Sequence, residues 1–109
     1  MVIKTRPVLR QKFANEDTSF NVTLAVAGTA EDLVTVPSGK KGRIVSIVNE
    51  GPGAIAVAFD VTATTSDLLL EEGDAYADQG LEISTNVSFI NVTVSETPRV
   101  RGVLWSGLP

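Results

Sequence analysis

The chain has 109 residues, 43% hydrophobic and 20% charged, enough for one core and too few for two. It contains no cysteine and no histidine, which excludes disulfides, thiolate zinc sites, thiol nucleophiles, histidine-based triads and the commonest metal ligand. Nine bases against thirteen acids give a net charge of −4, which argues against nucleic acid as the main partner, because binding phosphates needs concentrated positive surface. No apolar run approaches the roughly 20 residues of a membrane helix, and the opening MVIKTRPVLRQKF has no long apolar stretch, so the expectation is a non-secreted protein with no membrane partner.

The charges are segregated along the chain. Lys4, Arg6, Arg10 and Lys12 all precede the first acid, Glu16, whereas nine acids and no base lie between Ile44 and Pro98. Residues 1–17 read as an extended basic arm and residues 18–109 as a single β domain. Within the arm, Val2, Ile3, Val8, Leu9 and Phe13 interleave with the four bases. Such a segment can bury apolar surface while its bases form ion pairs on an acidic partner. The plainer alternative is a solvated, unanchored terminus.

Beyond the arm the hydrophobic period is two. Phe20, Val22, Leu24 and Val26 alternate with polar or small residues, the mark of a strand buried on one side. LVTV (33–36) predicts a short second strand that runs into the Pro37, Ser38, Gly39 turn. RIVSIVN (43–49) is rich in β-branched residues, and EGPG (50–53) after it predicts a hairpin. The expected return strand, 54–60, sets Ile55, Val57 and Phe59 on one face and Ala54, Ala56 and Ala58 on the other. Small residues admit a close backbone, so the alanine face is either covered within the domain or a packing surface for a neighbouring subunit. LLL (68–70), LEIS (81–84), VSFINVTV (87–94) and RVRGVLW (99–105) supply further predicted strands. In the third of these, Ile90, Val92 and Val94 face one side, and Val87, Phe89, Asn91 and Thr93 the other. About eight strands with turn signals every 8–12 residues predict an all-β, jelly-roll-like sandwich, with an immunoglobulin-like sandwich as the alternative.

Little in the sequence points to catalysis or metal chemistry. Glu71, Glu72, Asp74 and Asp78 supply hard oxygen ligands within eight residues but fit no EF-hand spacing, and a solvated acidic loop explains them. The same carboxylates lack the aromatic platforms of a glycosidase cleft. NVT (21–23), NVS (86–88) and NVT (91–93) match the glycosylation pattern by strand polarity. GKKG (39–42) lacks both the spacing and the helix of a phosphate loop. The expectation is a chain with no catalytic, metal or cofactor residues.

VPSGKKGRIVSIVN (36–49), the glycine turn after it, residues 54–60 and LEEGDAY (70–76) together resemble the small all-β structural proteins of tailed bacteriophages. In those, a VPxGK turn leads into a β-branched strand ending in Asn, and a leucine, acid, Gly, Asp turn follows. The likeness spans about residues 33–105 and is nearest in style to capsid decoration, or cement, proteins. It implies a virion protein on the outer capsid surface, present in the host cytoplasm during assembly. Such a protein, often a trimer, bridges the major capsid protein or other virion subunits. Under that implication the arm residues Val2, Ile3, Lys4, Arg6, Val8, Leu9, Arg10, Lys12 and Phe13 hold the capsid. Ala54, Ala56, Ala58, Arg99, Arg101 and Trp105 are candidates for packing between subunits. A head-fibre or tail component is the alternative within the same class. A carbohydrate- or receptor-binding sandwich using Tyr76 and Trp105 is the alternative from another.

Overall fold

The structure is a computed structural model and describes residues 14–109. Its strands are β1 (Glu16–Thr23), β2 (Ala30–Thr35), β3 (Lys41–Gly51), β4 (Ile55–Phe59), β5 (Leu68–Leu70), β6 (Ala75–Ile83), β7 (Asn86–Asn91) and β8 (Arg99–Gly107). They build two antiparallel four-stranded sheets, ordered β1-β8-β3-β6 and β2-β7-β4-β5. Each early strand pairs with its mirror image late in the chain: β1 with β8, β2 with β7, β3 with β6 and β4 with β5. The chain is thus one long antiparallel ribbon folded back on itself, its halves joined by the β3/β8 and β4/β7 ladders. That is the jelly roll rather than the immunoglobulin-like alternative. Among the described residues there is no helix.

The alternating pattern places the core where the sequence expects it. Phe20, Val45, Ile47, Val100 and Leu104 of the first sheet meet Val34, Ile55, Val57, Leu70, Val87 and Phe89 of the second, all buried. Two aromatic pairs cross the gap, Phe20 with Phe89 at 5.7 Å between ring centroids and Phe59 with Tyr76 at 6.2 Å. A phenylalanine fully withdrawn from water contributes about 1.5–3 kcal/mol. Phe20 faces Gly102 across the β1/β8 ladder, and a β-carbon there would collide with the ring and with the Ser46 carbonyl. Glycine at 102 leaves the space that the ring and the neighbouring strand occupy.

Several expectations need correction. The arm predicted over 1–17 falls mostly outside the described residues, and its last two positions, Glu16 and Asp17, are already in β1, opposite Ser106 and Trp105. Residues 50–53 do not form a hairpin but a corner between sheets. Both flanks of β3 are taken by β6 and β8, so the returning strand must enter the other sheet. The strand predicted over 87–94 starts one residue earlier and stops at Asn91, whose side chain accepts from the Thr93 N–H, and Val94 is 80% exposed. β6 begins at Ala75, ahead of the predicted Leu81, because an edge strand with solvent on one side carries little hydrophobic alternation.

Candidate subunit-contact surfaces

At one end of the sandwich, the loops 24–29, 52–54, 71–74 and 92–98 gather around two buried asparagines. Asn49, at the close of β3, donates through Nδ2 to the carbonyls of Gly53 and Leu70, both at 2.9 Å, and accepts from the Gly51 N–H at 2.9 Å. Its backbone exchanges bonds with Asp74 and Gly73, so one residue ties the β3/β4 corner to the β5/β6 turn. Gly51, at φ +74°, lies beneath the Glu72 side chain, whose Oε1 accepts from the Gly53 N–H at 3.2 Å. Asn91, at the close of β7, donates to the carbonyls of Glu96 at 2.6 Å and Leu24 at 3.4 Å and accepts from the Thr93 N–H at 2.9 Å. A side chain so enclosed cannot be a glycan acceptor, whatever the NVT pattern spells.

The opposite end is fastened by charge. Asp60 follows β4 in the left-handed region at φ +64°. Its carboxylate accepts from the N–H groups of Ser84, Thr85 and Asn86 and from the Thr85 hydroxyl, at 2.6–3.4 Å. Burial pushes its pKa up, but these donors outweigh that and hold it below the ordinary 3.8. The largely buried Arg43 donates to the carbonyls of Leu81 at 3.2 Å and Leu108 at 2.9 Å and meets Glu82 at 3.4 Å. Lys40, in the turn before β3, pairs with Glu16 at 2.7 Å. Ala14 is buried beside this end, so the chain preceding residue 14 departs from here.

The predicted contact residues divide into three groups. Val2, Ile3, Lys4, Arg6, Val8, Leu9, Arg10, Lys12 and Phe13 lie outside the described residues. Ala56 and Ala58 are buried against Ala63 and Ile90, with Ala54 half-buried, so the alanine face is covered in part by the chain's own Ala63. Only the third group reaches the surface: Arg99, Arg101 and Trp105 point to the outer face of the first sheet. There Trp105 stands in register between Asp17 and Ile44, and Arg101 between Asn21 and Val48. Arg101 meets Glu50 at 3.5 Å. Around them lie Ser19, Ser46, Val48, Val103, Ala75 and Ala77, a mixed face of small and apolar side chains.

Tyr76 and Trp105 do not form a shared platform. Tyr76 pairs with Ile47 on the core side of the sheet and packs on Phe59, whereas Trp105 pairs with Ile44 on the outer side. The Tyr76 hydroxyl donates to Asp78 at 2.9 Å. Burial, that bond and the Asp78 charge together raise its pKa above the ordinary 10.0. The acidic run is likewise occupied locally: Asp74 Oδ2 accepts from the Glu71 N–H at 2.9 Å. Among the described residues no three acidic side chains stand close enough to hold a metal ion.

No family model matches the chain, and no curated protein matches it. Among solved structures, it is similar to a chain of the cyanophage Pam1 capsid asymmetric unit. The TM-score is 0.54 at 14% identity, over 100% of this chain and 93% of that one. At that identity the likeness is one of fold, and it extends over the whole jelly roll.

Proposed function

We propose that the chain is a virion structural protein of a tailed bacteriophage, one that decorates the capsid from outside, bridges shell subunits and works as a trimer. The observation that carries this reading is the end-to-end likeness to a chain of the Pam1 capsid. The charge layout supports it. Residues 14–109 hold five bases against thirteen acids, while residues 1–13 hold four bases and no acid. A basic, apolar-studded arm on an acidic body is a device for gripping a neighbouring subunit. The work required is adhesion rather than chemistry: each ordered arm residue costs on the order of 1–2 kcal/mol in backbone entropy, offset by apolar burial and by ion pairs. Oligomerisation multiplies weak single contacts.

Deleting residues 1–13, which spares the buried Ala14, is expected to leave the body folded and abolish co-sedimentation with capsid shells. Undiminished co-sedimentation of the truncated chain rules the arm out as the grip.

A further inference from the structure

Four strands are sheet edges: β1 and β6 of one sheet, β2 and β5 of the other. Three carry features that discourage addition of another strand. β1 opens on Glu16 and Asp17, β2 is broken by a bulge between Glu31 and Val34, and β6 carries Asp78 and Glu82 with Gly80 at φ +75°. β5 has no such protection within the strand itself. It is three leucines, with β4 on one side and, among the described residues, no strand on the other. Leu68 is 40% and Leu69 51% exposed. Leu69 also ends an apolar row across the sheet, in register with Ala56, Ile90 and Ala30.

Two acids bracket this edge, Asp67 and Glu71. Asp67 accepts from Thr64 through Oδ2, which leaves Oδ1 to a base. The bracket decides what can bind. Antiparallel self-pairing about Leu69 sets Asp67 against Glu71 twice, and like charges directly opposite repel. A fitting strand has an apolar middle and a base at each end, four residues apart. The sequence holds such a segment, RPVLR at residues 6–10. Because both ends are basic, Arg6 and Arg10 meet the two acids in either strand direction. Pro7 is tolerated because an added strand is itself an edge.

A chain cannot serve its own β5. Arg10 is six residues before Glu16, where β1 begins, and six extended residues span at most about 20 Å. β1 and β5 lie on opposite lateral edges of different sheets. A strand added outside β5 lies four strand spacings and one inter-sheet gap from β1, roughly 22 Å through the core and more around it. We propose that residues 6–10 of one copy add as a fifth strand to the β5 edge of a second copy. Donor and acceptor are different surfaces, so the contact is head-to-tail and closes into a ring when the rotation permits, a trimer at one third of a turn. This names the neighbour that the arm takes in the reading above, yet it needs no shell to operate.

The test is sedimentation velocity of the full chain at low salt, without capsids. The wild type is expected to run above monomer mass. Arg6→Glu with Arg10→Glu should give monomer, as should Asp67→Lys with Glu71→Lys, and the fourfold reversal should restore the oligomer. A synthetic peptide of residues 1–13 should bind the Arg6→Glu/Arg10→Glu chain, with affinity falling about tenfold for each acid reversed on the edge. The two arm substitutions leave the body untouched, so loss of folding cannot mimic their effect. A monomeric wild type, or a fourfold reversal that stays monomeric, overturns the proposal. Its failure leaves shell binding to be judged separately, and failure to bind shells leaves the ring intact.

Discussion

The two ends of the sandwich solve one problem with opposite chemistry. Each must fasten loops from both sheets. The end formed by 24–29, 52–54, 71–74 and 92–98 does so with two fully buried neutral amides, Asn49 and Asn91. The end from which residues 1–13 depart does so with ions: the Asp60 carboxylate, the Arg43 guanidinium and the Lys40–Glu16 pair. A buried amide serves as donor and acceptor at once without a charge to desolvate, so it suits the closed end. The charged fastenings, Arg43 apart, sit nearer water, where ions are tolerated but each is worth less. The difference predicts that the end beside the arm responds more strongly to salt and pH than the end held by the two amides.

The comparison is broken most readily at Asn49. Replacing it by aspartate keeps the shape but turns the donor toward Gly53 and Leu70 into a buried anion facing two carbonyls. The expected loss is more than about 3 kcal/mol in urea unfolding, and Asn91→Asp should behave alike. If either costs less than Asp60→Ala, the amide end is not the more tightly built one. Asp60→Ala removes a cap and puts a β-branch-free but non-glycine residue at a positive φ without its anchor, with an expected loss of about 1–2 kcal/mol.

Asp60 also sharpens the contrast through pH. Its carboxyl binds a proton less readily when folded than when unfolded, so the unfolded chain protonates first on acidification. The stabilisation is complete above the unfolded value, near 3.8, and is lost as pH falls through the lower folded value. Unfolding curves of wild type and Asp60→Asn from pH 6 to pH 2 should therefore converge at the acid end. Curves that stay parallel contradict the assignment. The smallest effect is expected at Lys40→Met, at most about 0.5 kcal/mol and vanishing in high salt, read from the shift in unfolding midpoint.

The sequence displays the strands better than their partners. Period-two alternation at Phe20, Val45, Ile47, Val87 and Phe89 announces inward faces, and the turn residues announce where strands stop. The jelly roll follows from strand number and spacing. What alternation does not carry is which sheet a strand joins, so the turn at Gly51 reads as a hairpin when long-range pairing with β6 and β8 makes it a corner. The two asparagines are hidden for a related reason. Asn49 looks like the polar end of a β-branched run, and Asn91 like strand polarity, because the one partner of each that lies across the fold stands 21 and 67 residues away. The alanine face is legible as a close-packing surface, and only the fold shows that Ala63 covers it. The unguarded β5 edge was readable as LLL between acids, but an edge is a property of the sheet.

The most direct test of the account is cryo-electron microscopy of assembled heads containing the chain. The account predicts jelly-roll bodies on the outer shell around threefold positions, each with residues 1–13 traceable into a neighbouring subunit. Heads without such bodies, or bodies whose leading residues touch nothing, contradict it.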